Sequence, residues 1–266
     1  MENTTISTTT TGNVSKLKQL LRAASEMVDK GLFQVEEDGL RMVAADPAMV
    51  GLIDMKIKKH YFDTFEVEEG QKIGVSLKQM NKFIKSVNND ETLSIKYGEG
   101  ESQEYWELSN DTGEGLVIKK GLTELKLSED DIPEINELVF DNEFQMNADK
   151  LKRVITLLKD QTDAVTWISH EEGLTMKAST GKEDEQEYGI EWSEGEQVLY
   201  GEDGFKVETK SMFSIDYLIT QFTGRRIANL TDKIRFQMGN DFPLKFGFEN
   251  ENFSYEVVLA PRIEEE

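Results

Sequence analysis

Hydrophobic positions recur along the chain with two periods. In 14–30, Leu17, Leu20, Leu21, Ala24 and Val28 fall on one helical face; in 76–87, so do Leu77, Met80, Ile84 and Val87. The same spacing returns in 147–160 with Leu151, Val154, Ile155 and Leu158, and in 212–226 with Ile215, Leu218, Ile219 and Phe222. Each set predicts an amphipathic helix that buries the named stripe. Strict alternation in Leu93-Ser94-Ile95-Lys96-Tyr97 and in Ile234-Arg235-Phe236-Gln237-Met238 predicts half-buried strands. Tight turns are signalled at Asp38-Gly39, Glu172-Gly173 and Asp203-Gly204.

The pattern occurs twice. Lys16-Leu17-Lys18-Gln19-Leu20-Leu21 aligns with Lys150-Leu151-Lys152-Arg153-Val154-Ile155 at an offset of 134, and Asp38-Gly39-Leu40-Arg41-Met42 with Glu172-Gly173-Leu174-Thr175-Met176 at the same offset. Ser76-Leu77 and Met80 meet Ser214-Ile215 and Leu218 at 138, and Leu93 meets Ile234 at 141. Four landmarks in one order predict two homologous α+β domains, each with two helices and many short strands. The first is placed at 1–121 and the second at 140–266, with a connector over 122–139. The connector holds Ser128-Glu129-Asp130-Asp131-Ile132-Pro133, where proline blocks a helix and like charges keep the chain extended. Glu2 to Thr11 is threonine-rich, with Ile6 its only large apolar residue, so a strand there is expected to be frayed.

Composition narrows the chemistry. The 266 residues include no cysteine, which excludes disulfides, thiolate zinc sites and cysteine nucleophiles. No apolar run reaches the roughly 18 residues of a membrane span. The N-terminus lacks a basic-then-apolar leader pattern, and a cytoplasmic protein is expected. The two histidines, His60 and His170, have no partner at metal-ligand spacing. No phosphate-binding glycine loop and no nucleophile elbow is present. The runs Glu129-Asp130-Asp131 and Glu183-Asp184-Glu185 lack the ligand alternation of a calcium loop and read as solvated loops. No catalytic residue, metal or cofactor is therefore expected, and an acidic hydrolase built on these clusters ranks last.

Net charge is −22, which by itself predicts repulsion from nucleic acid and anionic membranes. Its distribution changes that picture. The four helical stretches carry 13 basic against 5 acidic residues, a net +8, and leave −30 on the rest of the chain. The basic residues fall opposite the apolar stripes: Lys16, Lys18 and Arg22; Lys78, Lys82 and Lys85; Lys152, Arg153 and Lys159. The fourth helix is poorer, with Arg225 and Arg226 just past Gly224. Basic helices in an otherwise acidic chain predict one face suited to phosphates. No aromatic residue interleaves with the lysines, so stacking on unpaired bases is not indicated and the expected contact is with backbone phosphate, independent of sequence and sensitive to salt.

Asp38 to Asp54, reading DGLRMVAADPAMVGLID, resembles the hallmark stretch of the archaeal and eukaryotic sliding clamps, the proliferating cell nuclear antigen (PCNA) family. Ile73-Gly74-Val75-Ser76-Leu77, Asp241-Phe242-Pro243-Leu244 and Leu259-Ala260-Pro261-Arg262-Ile263-Glu264 are similar to further family signatures. The Asp46-Pro47 pair resembles archaeal members more closely.

The resemblance implies two tandem clamp domains per subunit, helices on the inner face and antiparallel sheets on the outer, and three subunits closed head to tail into a ring. It implies a processivity factor that encircles DNA, working at the nucleoid (or in the nucleus of a eukaryotic source). DNA polymerase, clamp loader, flap endonuclease and DNA ligase would dock through PIP-box peptides. Their pocket would use Met49, Val50 and Leu52, Ile132 and Pro133, Pro243, and Val258, Ala260 and Pro261. Subunits would join through the strand near 115–120, with Lys119 and Lys120, and the strand near 174–179, with Leu174, Met176 and Lys177. The runner-up is a clamp-fold paralogue or inhibitor that binds partners without encircling DNA.

Overall fold

The computed structural model describes residues 4–101, 103–128, 138–179, 187–224 and 226–263. The chain divides into two compact units. The first comprises Met1–Pro47, Ile53–Pro133 and Glu249–Tyr255; the second comprises Ala48–Leu52, Glu134–Phe248 and Glu256–Glu266. The main division thus falls inside the stretch expected as a connector, and a short segment of each half joins the other unit.

The first half of the chain runs β1 (Thr4–Thr11), α1 (Val14–Ser25), β2 (Lys30–Glu36), β3 (Gly39–Ala45), β4 (Gly51–Lys58), β5 (Thr64–Val67), β6 (Lys72–Ser76), α2 (Leu77–Ile84), β7 (Thr92–Glu99), β8 (Glu104–Asp111) and β9 (Val117–Thr123). Its strands form the orders β5-β1-β7-β8-β9 and β4-β3-β2-β6. The second half runs β10 (Asn142–Asn147), α3 (Ala148–Leu158), β11 (Ala164–His170), β12 (Gly173–Ser179), β13 (Glu187–Ser193), β14 (Val198–Tyr200), β15 (Thr209–Ser214), α4 (Ile215–Phe222), β16 (Lys233–Met238), β17 (Leu244–Glu249) and β18 (Phe253–Leu259). Its orders, β14-β10-β16-β17-β18 and β13-β12-β11-β15, repeat the first half strand for strand. The duplication read from spacing is therefore a duplication of topology. β2 and β11 correspond at 134 residues, and α2 and α4 at 138.

Helix faces pack as their spacing requires. In the first unit Leu17, Leu20, Met80 and Ile84 are buried, as are Phe33, Trp106 and Leu108 from the strands. In the second, Phe222 of α4 lies 5.1 Å from Phe246, and Phe236 stacks on Phe144 at 5.6 Å and tilts against Trp167 at 5.4 Å. Each such side chain contributes about 1.5–3 kcal/mol on burial. Val154 and Ile219 are only half-buried, and Gln221 is buried in α4.

Two expectations are corrected. The fourth helix does not begin at 212, because Met212 to Ser214 complete β15 and pair with β11, with Phe213 buried beside Val165. The helix starts only after Ser214, whose backbone is still extended. The N-terminal strand is not frayed: β1 lies between β5 and β7. Ile6, Thr8 and Thr10 point inward and are buried. Thr8 donates its hydroxyl to Ile95 O at 3.2 Å, while Thr9 and Thr11 hydrogen-bond the hydroxyls of Thr64 and Thr92 on the other face. Threonine's methyl packs while its hydroxyl finds a partner on the neighbouring strand, so a run of threonines serves as a strand without large apolar residues.

Candidate functional site

The cationic surface is built from helix starts upward. Ser76 caps α2 by accepting from Gln79 N–H at 3.3 Å, and Asn147 caps α3 by accepting from Lys150 N–H at 2.9 Å. α1 packs on α2 and α3 on α4. In the first pair Asn81 Nδ2 donates to Ser25 Oγ at 2.5 Å, a polar tie within an apolar seam. With one face committed to packing, the other projects Lys16, Lys78, Lys82, Lys85, Arg153 and Lys159 into solvent; Lys18, Arg22 and Lys152 are half-buried.

Ion pairing separates these residues. Lys16, Lys82, Lys85, Lys152 and Arg153 make no ion pair among the described residues. Lys78 has only Asp29 at 4.0 Å and Lys159 only Asp160 at 3.9 Å. Arg22 pairs one turn along with Glu26 at 3.1 Å, and the Lys18 ammonium is turned onto Val87 O. Arg226 departs from the expectation. It is 7% exposed, and its guanidinium donates to Ile219 O and Thr223 Oγ1, closing the end of α4. It belongs to the packing of that helix. Arg225 lies outside the described residues.

On the strands, opposite charges meet across the ladders. Arg41 clasps Asp54 through Nε at 2.9 Å and Nη2 at 2.5 Å. Lys56 lies 2.6 Å from both Glu36 and Asp38. Its hydrogen bond holds the Asp38 carboxyl below the usual range. Burial pulls Lys56 down, but the hydrogen bonds to Asp38 and Glu36 outweigh it and raise its pKa.

Of the residues expected to hold a partner peptide, Met49, Val50, Leu52, Pro243, Val258, Ala260 and Pro261 belong to the second unit. Ala260 N–H donates to Val50 O at 2.8 Å, joining the Ala48–Leu52 segment to the C-terminal chain. Leu52 and Val258 are buried, and Pro243, Ala260 and Pro261 half-buried. Met49 is 56% exposed with φ +56°, a left-handed backbone that holds its thioether out in solvent. Ile132 and Pro133 lie outside the described residues. The spacing missed a second cleft, in the first unit. Leu32, Val43 and Ala45 line it, with Leu127 and Ser128 opposite and Lys30 beside them. The available signal was apolar residues at outward parity, since Leu32 and Val43 pair across β2 and β3 where Gln34 and Arg41 are polar.

The expected joining strands are also corrected. β9 does stand at an edge, with Leu116, Val117 and Ile118 exposed; Lys119 pairs with Glu107 at 3.3 Å, and Lys120 is exposed. β12 does not. It lies between β11 and β13, and its Leu174 and Met176 are fully buried, leaving Lys177 exposed. Among the described residues the edges of that sheet are β13 and β15, and β13 was hidden in the sequence by the acidic run before it.

A repeated sheet-and-helix unit thus carries, on its helices, cations that make no ion pair among the described residues. Comparison with known proteins gives the family. The family described as "Proliferating cell nuclear antigen, N-terminal domain" matches residues 9–119. The "DNA polymerase sliding clamp" of Pyrococcus abyssi is 30% identical over 93% of this chain and 94% of its own. That of Thermococcus onnurineus is 28% identical over 92% and 94%, and "DNA polymerase sliding clamp 1" of Sulfolobus acidocaldarius is 28% identical over 94% and 97%. The chain belongs to the archaeal-type sliding clamp family, that of PCNA.

Proposed function

We propose that this chain is a DNA sliding clamp: a non-enzymatic ring of three subunits that encircles duplex DNA and tethers the replicative polymerase and other replication and repair enzymes. The observation that carries the reading is that Lys16, Lys82, Lys85, Lys152 and Arg153, on the helices or at their ends, make no ion pair among the described residues of a protein of net charge −22. Enclosure supplies retention, so each phosphate contact can stay weak and exchange as the ring moves. Closure would be edge to edge, β9 of one subunit beside β13 of the next. That pairing would cover Leu116, Val117 and Ile118 and bring Lys120 toward the strand that carries Glu191. Partner enzymes would seat PIP-box peptides between the Ala48–Leu52 segment and the C-terminal chain, the connector completing the groove.

The direct test is retention. The protein, loaded onto nicked circular DNA by a clamp loader, should remain bound and then slide off once the circle is linearised. Equal retention on both forms counts against enclosure. Native mass measurement should give three subunits, whereas a monomer at micromolar concentration favours the partner-binding paralogue.

A further inference from the structure

The connector is bridged to the first unit where it leaves β9. Leu125, two residues beyond β9, forms an isolated antiparallel bridge with Gly74 of β6, and its N–H donates to Gly74 O at 3.1 Å. The same carbonyl accepts the Trp106 indole N–H at 3.2 Å. Trp106 is 1% exposed, edge-on to Phe33 at 5.8 Å and tilted against Tyr97 at 5.2 Å. The two lone pairs of one carbonyl therefore join the departing chain to a rigid aromatic core.

No side chain fits at Gly74. A Cβ there would lie 2.0 Å from Leu125 O and 3.1 Å from Leu127 Cγ. The first of these is a backbone atom, which can yield only if the connector lifts. Two residues on, Leu127 faces Leu32, Val43 and Ala45 across a cavity of about 130 Å³. β6 also ends the order β4-β3-β2-β6, so Leu125 covers the edge of that strand.

We propose that Gly74 is a positioning residue for partner binding. Its missing side chain lets the connector seat against β6, and this seat sets the height of Leu127 above the cleft. The groove wall is then ordered before a peptide arrives, and binding does not bear the entropy of ordering it. This proposal rests on reading the connector as part of the partner-peptide groove.

Three variants of the full chain test it: Gly74→Ala, Leu125→Pro, which removes the donor from the connector side, and Trp106→Phe, which keeps the ring and removes the indole donor. The readouts are amide hydrogen exchange at Leu125, anisotropy of a fluorescein-labelled synthetic PIP-box peptide, and the melting temperature. Gly74→Ala should speed Leu125 exchange by about thirtyfold and weaken the peptide about tenfold, with little change in melting. Leu125→Pro should match it in peptide affinity, and so reads the same contact should Gly74→Ala fail to fold. Trp106→Phe should lower the melting temperature and leave Leu125 exchange and peptide affinity unchanged. Peptide affinity that falls only in step with melting temperature across the variants makes Gly74 merely structural and overturns the proposal. A wild type that binds while both connector variants bind equally well overturns this proposal alone; a wild type that does not bind overturns the groove reading and the proposal with it.

Discussion

Arg41, Lys56 and Lys58 stand on strands and Lys82, Lys85 and Lys152 on helices, and the same cationic chemistry ends in opposite states. Lys56 holds two carboxylates and Lys58 reaches Glu249 at 2.7 Å. In the second unit Glu256 takes both Arg235 and Lys245 at 2.9 Å. These fields close within a few ångströms. The cause is geometric: Arg41 and Asp54, and Lys245 and Glu256, stand on adjacent strands, while the longer reach of Lys56, Lys58 and Arg235 meets an acid on the next strand but one. On α2 the neighbours of Lys82 at helical spacing are Lys78 and Lys85, and no acid stands one turn away. The field of these lysines reaches outward over a Debye length of about 8–10 Å. A strongly acidic protein thus keeps cations unanswered where local topology places no acid beside them, and the total charge does not report it.

The comparison breaks most visibly at Arg226, a cation near a helix end that is used as packing. Arg226→Met should cost about 2–3 kcal/mol in denaturant unfolding and leave the salt dependence of DNA binding unchanged. A lowered salt slope without lost stability would return it to the DNA-facing set. Next in size is the double change Lys82→Glu and Lys85→Glu. It should weaken DNA-dependent stimulation of the polymerase about tenfold at physiological salt, with melting unaltered because both side chains are solvated. Processivity that survives the double change would remove α2 from the interface.

Lys56→Met should destabilise by less than about 1 kcal/mol, since Asp38 is largely exposed and screened. Its pH profile is the sharper reading. Asp38 is depressed in the folded state, so its contribution is present above the unfolded carboxylate pKa and lost as pH falls through the folded value. Lys56 is raised, so its contribution is full below the unfolded lysine pKa and lost as pH climbs through the folded value. The gap between wild type and Lys56→Met should therefore be widest from about pH 4 to pH 10 and close at both ends. The smallest effect is expected for Lys152→Ala, a fall of about 1 in the slope of log affinity against log salt, read from DNA-binding titrations.

Much of the architecture was legible before any coordinate. Leu77, Met80 and Ile84 announced α2 because helical periodicity is local, and the offsets of 134 and 138 announced the duplication because homologous elements kept their lengths. Solvation of Lys82 and Lys85 followed from their phase. The order of the threonine-rich β1 was not legible because side-chain volume was weighed and hydroxyls paired across to β5 and β7 were not. The strand near 174–179, which the resemblance offered for joining subunits, lies inside its sheet between β11 and β13, because a strand's own residues do not reveal its neighbours.

Periodicity, phase and repetition therefore determined the helices, the paired domains and the sorting of charge, since each depends on residues a few positions apart. Tertiary structure alone decided that β13 is an edge, that Arg226 turns inward, that Lys58 meets Glu249 across 191 residues, and that Gly74 meets the root of the connector. Each of those outcomes depends on which distant segments become neighbours, a condition that non-local strand pairing sets and no local window contains.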